Sequence, residues 1–181
     1  MSLLKSSPWA LLAAAITLPV SAQENAVSIP GGQLDTSIAG ADVYVGEPTP
    51  ADPGPTAACQ LARVYVDTLR AGQYEEMSKL FADDAVILDP LRLSVKGHLD
   101  IGDFYRNRVG SIRPQVIGVA YIGQGNDCIL ELATQVKING ESRYALQGLD
   151  HFTLNAAGKF SRMVVFLRPP PRGTMTLTPS H

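Results

Sequence analysis

The chain has 181 residues, of which 45% are hydrophobic and 18% charged, and its formal net charge is −2. This length suits one domain with a buried core. The few Lys and Arg residues are scattered, so the composition excludes a nucleic-acid-binding surface and argues against a basic membrane-binding patch.

Residues 1–22 have the pattern of a secretory signal peptide. Lys5 precedes an apolar stretch from Trp9 to Val20, and Val20-Ser21-Ala22 supplies small residues for cleavage. The stretch is too short to span a bilayer comfortably, although an uncleaved N-terminal anchor stays open as an alternative. We therefore predict an exported protein, periplasmic or secreted, with no membrane contact after cleavage.

The predicted domain is flanked by two segments without a regular pattern. Residues 23–56 are rich in Pro and Gly and show neither helical nor strand periodicity, which predicts a flexible tether. Pro169-Pro170-Pro171 ends the last predicted strand, so residues 169–181 are predicted to form a Pro-rich tail. The folded domain is thus expected to span residues 57–168.

Two cysteines, Cys59 and Cys128, lie within this domain. In an oxidising compartment they can form one disulfide, which stabilises a fold by roughly 4 kcal/mol in the chain-entropy model for a loop of this length. Spacing does not establish pairing, so two buried thiols that never meet remain the open alternative.

Three helices are predicted before the sheet. The first ends at Gly72 and places Tyr65 on its inward face, the second ends at Asp83-Asp84, and the third follows Gly97. Between the last two, a short apolar run from Ala85 to Leu88 ends at Asp89-Pro90. The spacings that predict the helices are Leu61–Tyr65–Thr68–Leu69, Met77–Leu80–Phe81 and Ile101–Phe104–Tyr105–Arg108.

After Pro114 the pattern changes to the alternation that is typical of strands. Asn139-Gly140 is a strong hairpin signal between two of these strands. An antiparallel meander packed against three N-terminal helices is an α+β fold shaped like a cone. The strands are predicted over residues 116–122, 130–138, 143–154 and 160–167.

Asp150 is the most informative polar residue. Alternation places it on the apolar face of its strand, together with Tyr144, Leu146, Gly148, Phe152 and Leu154. Burial disfavours the charged carboxylate, so the pKa of Asp150 should rise, and a neutral carboxylic acid can donate a hydrogen bond. An Asp that forms a salt bridge or a cap at the rim of the cone is the open alternative.

Asp89 and Tyr65 are weaker candidates when each is taken alone. Asp89 follows an apolar strand and precedes Pro90, a position that can direct a carboxylate across a pocket mouth but also suits an ordinary turn. Tyr65 has the spacing of a core aromatic residue. The three histidines, His98, His151 and His181, lack metal-ligand spacing, so no metal site is predicted.

Three segments together resemble bacterial ketosteroid isomerase (steroid Δ-isomerase), a family of the nuclear-transport-factor-2-like, or SnoaL-like, superfamily. They are the run Val64-Tyr65-Val66-Asp67-Thr68-Leu69-Arg70-Ala71-Gly72, the run Leu80-Phe81-Ala82-Asp83-Asp84-Ala85 that continues to Asp89-Pro90 and Phe104-Tyr105, and Asp150-His151-Phe152-Thr153-Leu154 with the following Asn155-Ala156-Ala157-Gly158-Lys159. The resemblance covers nearly all of residues 60–167 and implies the same cone-shaped fold.

The resemblance also implies roles for the side chains at matching positions. Tyr65 and a protonated Asp150 would form an oxyanion hole, and Asp89 would be the base that moves the proton. Tyr105 matches a family Tyr that hydrogen-bonds the oxyanion Tyr. Three further side chains are expected to line or support the pocket: Phe104, Phe152 and Met163.

The implied activity is an allylic proton transfer within one molecule, the Δ5 to Δ4 isomerisation of a 3-oxosteroid or a similar hydrophobic β,γ-unsaturated ketone. It needs no metal or organic cofactor. Two other functions stay open for the same fold: a non-catalytic module that binds apolar small molecules, and a related dehydratase, cyclase or epoxide hydrolase. The resemblance further implies a homodimer formed through the sheet.

The chain also departs from the family. Leu88 stands where the isomerases often carry Glu, and the loop from Pro90 to Gly97 is about one residue shorter. An extra residue lies between Gly140 and Asp150, and the known isomerases lack a secretion signal.

Overall fold

The computed structural model of the protein describes residues 26–38, 42–90, 94–168 and 176–177. The predicted signal peptide lies outside these residues. The helices are α1 (Ala57–Arg70), α2 (Tyr74–Ser78) and α3 (His98–Phe104). The strands are β1 (Ala26–Ile29), β2 (Gly32–Asp35), β3 (Phe81–Leu88), β4 (Ser94–Lys96), β5 (Val116–Gln124), β6 (Asp127–Ile138), β7 (Glu141–Leu154), β8 (Phe160–Leu167) and β9 (Thr176–Leu177).

The main sheet has the strand order β4-β3-β8-β7-β6-β5. Strands β5 to β8 form the predicted antiparallel meander, with a tight turn at Asn139-Gly140 between β6 and β7. Strand β3 joins this meander in parallel with β8, a pairing that the sequence pattern did not indicate. The α+β class is confirmed, and the sheet is curved and mixed.

Helix α1 lies across the sheet and carries the predicted inward face. Its buried side chains include Ala62, Tyr65, Val66 and Leu69, and they pack in the main core with residues of β3, β6, β7 and β8. The helix ends at Arg70, and Gly72 follows with a φ of 70°, a conformation that favours glycine. An amphipathic helix of this kind is stabilised chiefly by the apolar area that it buries.

The second helix is shorter than its spacing predicts. It ends at Ser78, and Leu80 and Phe81, which were expected on its apolar side, lie beyond it. Phe81 instead begins β3 and pairs with Phe160 of β8. A pairing with a strand about 80 residues away overrides the local helical spacing, which tertiary contacts commonly do.

The third helix is followed directly by a π-helical turn, Tyr105–Val109. Such turns are rare and often occur at functional sites. Here the turn begins at Tyr105, a buried residue that the sequence placed on the helix itself.

A β-bulge in β7 changes which side chains share the face of Asp150. Leu132 of β6 pairs with Gly148, whereas the next residue, Ala133, pairs with Leu146, so Gln147 is the extra residue. Tyr144 and Leu146 therefore pack on the opposite face, and the prediction that they share the face of Asp150 is wrong. The bulge lies within the stretch from Gly140 to Asp150, where the chain has one residue more than the family it resembles.

The prediction of a flexible tether is wrong for the described part of residues 23–56. Strands β1 and β2 form a hairpin, and the stretch 42–45 pairs with β2 on one side and with β7 on the other. Backbone bonds join the Tyr44 N–H to the Tyr144 carbonyl (2.8 Å) and the Leu146 N–H to the Asp42 carbonyl (2.8 Å). Residues 42–45 thus extend the sheet along the edge of β7, beyond the end of β8.

Apolar side chains make this N-terminal addition part of the fold. Tyr44 is buried against Ile117, Val119 and Leu146 on the sheet face away from α1. The sequence did not indicate that Tyr44 is buried, because Val43-Tyr44 is too short a strand-like stretch to show periodicity. The predicted tail also contains one short strand, β9, which pairs with β6, and the rest of residues 169–181 lies outside the described part.

Cys59 and Cys128 form a disulfide that joins α1 to β6, with their Cα atoms 5.1 Å apart. This decides between the two alternatives that spacing left open. Within the described residues, no helix is long and apolar enough to cross a membrane.

Candidate active site

A pocket of about 280 Å³ lies between α1, the π-helical turn and the concave face of the sheet. Tyr65, Asp89 and Asp150 all line it, although they come from a helix, the end of a strand and the middle of another strand. The structure therefore brings together the three residues that the sequence singled out separately. Most of the other lining residues are aliphatic or aromatic, so the pocket is apolar with a few polar groups.

Asp150 lies deep in the pocket wall and is only 4% exposed. Its neighbours across the sheet are Leu130 on β6 and Val165 on β8. Because these apolar side chains replace water, burial raises the pKa of Asp150 from 3.8 to about 7. The Asp150 carboxyl group is therefore protonated in a large part of the molecules near neutral pH, and in that form it is a hydrogen-bond donor.

Tyr65 and Tyr105 form a buried pair whose hydroxyl oxygens are 2.7 Å apart. Burial raises the pKa of both phenols well above the usual value, and the nearby Asp150 carboxylate raises both further. Both tyrosines thus stay neutral donors at any physiological pH. The Tyr105 hydroxyl also lies 3.6 Å from Met163 Sδ, to which it can donate a weak hydrogen bond.

Asp89 follows the last residue of β3 and is half-buried at the pocket wall. The parallel pairing of β3 with β8 carries it there, since Leu88 lies opposite Val164. The charge of Asp89 is among the causes that raise the pKa of Tyr105, after burial and the charge of Asp150. Asp89 is more exposed than Asp150, so the two carboxyl groups occupy different environments in one cavity.

The three supporting residues divide into two groups. Phe104 and Met163 line the pocket, as expected. Phe152 does not line it; its ring packs edge-on against Tyr65 at 5.1 Å and lies 4.5 Å from the ring of Phe160. Phe152 therefore supports the position of Tyr65 from behind, where no ligand in the pocket reaches it.

A SnoaL-like domain profile matches residues 62–163, which is more than half of the chain. The matched range includes Tyr65, Asp89, Tyr105 and Asp150. The chain belongs to the SnoaL-like family. The resemblance recognised in the sequence is thereby confirmed at the level of the superfamily of nuclear-transport-factor-2-like proteins.

One curated relative of this SnoaL-like protein is the steroid Delta-isomerase of Nocardioides simplex. The two are 25% identical over 118 residues, which cover 64% of this chain and 91% of the relative. The family as a whole includes ketosteroid isomerases, cyclases and epoxide hydrolases.

Solved structures of other proteins share the fold. RV0760c from Mycobacterium tuberculosis, in complex with estradiol-17beta-hemisuccinate, is 19% identical, with a TM-score of 0.54 over 67% of this chain and 99% of that chain. A computationally designed 17-OHP binder is 18% identical, with a TM-score of 0.54 over 67% of this chain and 98% of its own. SalBIII, an epoxide hydrolase/cyclase-like enzyme of salinomycin pyran ring formation, is 17% identical, with a TM-score of 0.54 over 65% of this chain and 95% of its own.

Sequence reasoning missed several residues of the pocket in this SnoaL-like domain. Gln147 lines the pocket beside Gly148, although strict alternation places only Gly148 on the face of Asp150; the bulge at Gln147 breaks that alternation. The extra residue before Asp150 was the available signal. Thr134 also lines the pocket, and its alternation with Leu130 and Leu132 already placed it on the inner face. Val109, Ile112 and Pro114 line the mouth from an irregular segment that carries no pattern.

The described residues contain no group of three or more His, Cys, Asp or Glu side chains that could hold a metal ion. The ionisable groups in the pocket are two neutral phenols, one carboxyl group whose pKa is raised and one more exposed carboxyl group. Such a set can place hydrogen-bond donors on one oxygen atom of a ligand and offer a proton acceptor nearby.

Proposed function

We propose that the protein is an isomerase that moves a proton between two carbon atoms of a hydrophobic β,γ-unsaturated ketone, such as a Δ5-3-oxosteroid. The observation that carries the proposal is the shared pocket of Tyr65, Asp89 and Asp150, in which burial raises the pKa of one carboxyl group to about 7. An acid and a base of the same residue type can work side by side only in different environments.

In the proposed reaction the ketone oxygen accepts hydrogen bonds from Tyr65 and from the protonated Asp150. The Asp89 carboxylate removes a proton from the carbon between the ketone and the double bond, which forms a dienolate. The two donors stabilise the negative charge on the dienolate oxygen. Asp89 then returns the same proton to the γ carbon, so the double bond becomes conjugated and no atom is gained or lost.

Tyr105 assists by orienting Tyr65. Its hydroxyl can donate either to Met163 Sδ or to the Tyr65 oxygen, and a thioether sulfur is the weaker acceptor. Donation from Tyr105 to Tyr65 leaves the Tyr65 proton available for the ketone oxygen. It also strengthens Tyr65 as a donor, because hydrogen bonds in a chain polarise one another.

The proposal is tested by mixing the purified protein with 5-androstene-3,17-dione and following the absorbance of the conjugated product. We expect turnover by the wild-type protein and a loss of about 10²–10⁴ in kcat for Asp89→Asn, since an amide cannot accept the proton. Asp150→Leu should lose about 10²–10³, the usual effect of one oxyanion donor. Asp84→Asn is the matched control, because Asp84 is an exposed residue of β3, the strand that precedes Asp89, and does not line the pocket.

Each result has a defined meaning. An Asp89→Asn variant as active as the wild-type protein contradicts the assignment of the base. Steroid binding without turnover favours the non-catalytic binding module. Absence of both turnover and binding favours another reaction of the family, such as that of a cyclase or epoxide hydrolase.

We also propose that the mature protein is exported. The disulfide between Cys59 and Cys128 supports this, because disulfides persist in oxidising compartments and are rare in the cytosol. Expression of the full chain in a bacterial host, followed by N-terminal sequencing of the periplasmic fraction, is expected to find a chain that begins at Gln23. Retention of the full-length chain in the cytosol contradicts it.

A further inference from the structure

A second cavity, of about 560 Å³, is lined by three arginines: Arg70 at the end of α1, Arg106 in the π-helical turn and Arg113 before β5. We call it the arginine cleft. None of the described residues that line it is acidic. The chain has 15 Lys and Arg residues in all, so three in one concavity is a marked local concentration. Clustered guanidinium groups in a concave surface attract carboxylates and phosphates.

Two of the three arginines, Arg70 and Arg106, form exposed ion pairs with carboxylates beside the cleft. Glu47 pairs with Arg70 at 3.3 Å, and Asp103 pairs with Arg106 at 2.6 Å. All four side chains are more than 40% exposed. Exposed ion pairs contribute little to stability. An anionic ligand can therefore replace the carboxylate of Glu47 or of Asp103 at a small cost in free energy.

The backbone at Arg113 is unusual. Its φ is 38°, a left-handed conformation that non-glycine residues rarely adopt. Residues held in such conformations cluster at ligand sites, where the surrounding structure imposes them. Ile112 and Pro114 on either side line the apolar pocket, whereas Arg113 lines the arginine cleft.

The arginine cleft and the pocket share a wall. Leu69 lines both, and its neighbour Arg70 lines the cleft alone. The segment 109–116 contributes residues to both cavities: Gly110, Arg113 and Gln115 line the cleft, and Val109, Ile112, Pro114 and Val116 line the pocket. The pocket itself, at about 280 Å³, is slightly smaller than the roughly 300–1,000 Å³ that is usual for small-molecule sites. A ligand larger than this volume has to extend past the pocket rim.

We propose that the arginine cleft binds an anionic group, a carboxylate or a phosphate, on a ligand whose apolar part occupies the pocket. The substrate class is then an anionic amphiphile, with its ketone beside Tyr65 and Asp150 and its charged end beside Arg70 and Arg113. The inference rests on the proposed function for the position of the ketone, but the anion site itself stands on the arginines alone.

The test compares two steroid esters that differ in one terminal carboxylate, testosterone hemisuccinate and testosterone acetate. Their dissociation constants for the full protein are measured by calorimetry at low and at high salt. We expect the hemisuccinate to bind about tenfold more tightly at low salt, because charge-assisted hydrogen bonds to arginine are strong. The advantage should fall to about twofold near 1 M NaCl, where charges on an open surface are screened.

A matched pair of variants locates the effect. Ala71 lines the arginine cleft, is exposed and lies just after α1, so its side chain can be enlarged without disturbing the core. In Ala71→Glu the added carboxylate should lower the ratio of hemisuccinate affinity to acetate affinity to about one. Ala71→Gln should keep the wild-type ratio, since only Glu brings a competing charge. Arg113→Gln should also lower the ratio.

Equal affinities of the two esters for the wild-type protein at low salt overturn the inference. A second result also overturns it: the two esters bind equally well, and inorganic phosphate binds to the wild-type protein but not to Ala71→Glu. The cleft then holds an anion that is separate from the ligand in the pocket. If neither ester binds but phosphate does so in an Arg113-dependent way, the anion site stands and the steroid pocket of the proposed function fails. If no probe binds, both fail.

Discussion

Asp150 links the candidate site to the stability of the fold. A carboxyl group among apolar side chains loses more by ionising than it would in water, which is why its pKa rises from 3.8 to about 7. Between these two pH values the folded protein keeps a proton that the unfolded chain has released. The free energy of unfolding therefore falls as the pH rises through this window and is lowest above it.

We predict that ionisation of Asp150 lowers the free energy of unfolding of the wild-type protein by on the order of 4 kcal/mol as the pH rises from about 4 to about 7. Each unit of pKa difference corresponds to about 1.4 kcal/mol. Asp150→Asn keeps the size and the donor but cannot ionise, so its stability should lack that fall. Urea unfolding of both proteins at about pH 5 and pH 8 measures the difference. Parallel pH profiles of the two proteins would show that Asp150 is not desolvated.

At the scale of elements, α1 is the part that positions the site. It carries Tyr65 over the sheet, and the disulfide from Cys59 fixes its first turn to β6. Cys128 lies opposite Phe152, whose ring packs against Tyr65. The covalent link and the aromatic contact thus hold the same helix at two points along its length.

Removal of the disulfide is expected to weaken the fold substantially. The bond closes a loop of 69 residues, for which the chain-entropy model gives roughly 4 kcal/mol. We predict that the double variant Cys59→Ala/Cys128→Ala loses about 2–5 kcal/mol in denaturant unfolding. Wild-type protein unfolded with a thiol reductant is the control and should approach the double variant. Unchanged stability of the variant would mean that the thiols are unpaired in solution.

At the scale of the whole molecule, the N-terminal addition of residues 26–38 and 42–45 extends the family domain. It continues the sheet along the β7 edge and covers apolar side chains such as Ile117 and Leu146. Because residues 42–45 pair with it, this part of the β7 edge is not open to association with another chain.

We predict that Tyr44→Ala destabilises the protein by about 3 kcal/mol, the cost of removing a buried aromatic ring. Tyr44 is 1% exposed, whereas its neighbour Val45 is 56% exposed, which makes Val45→Ala a matched control. The control should change stability by less than about 0.5 kcal/mol. Thermal unfolding of both variants distinguishes a packed strand from a loose tether, for which neither substitution would matter.

The homodimer implied by the family resemblance stays a prediction. The N-terminal addition occupies part of the outer sheet face, so a dimer through the sheet has to use the uncovered part, where Phe166 is 56% exposed and Leu149 lies opposite it. Gel filtration with light scattering is expected to find a dimer for the wild-type protein. Phe166→Asp should shift it to a monomer, because a charge cannot be buried unpaired in an interface. A wild-type monomer would contradict the dimer.

The sequence by itself determined the α+β class, helix α1 with its inward Tyr65, the hairpin at Asn139-Gly140 and the burial of Asp150. These features follow from local periodicity and turn chemistry, which act within a few residues. The family resemblance supplied the correspondence of Tyr65, Asp89 and Asp150, and their convergence in one pocket followed only from the fold.

Tertiary structure alone decided the features that depend on distant partners. Phe81 left its helical spacing for a strand because Phe160 pairs with it, and Tyr144 changed face because the bulge at Gln147 shifts the register. The pairing of Cys59 with Cys128 and the burial of Tyr44 are of the same kind. In each case the deciding free energy comes from contacts between residues far apart in the chain, and a local sequence pattern holds no record of them.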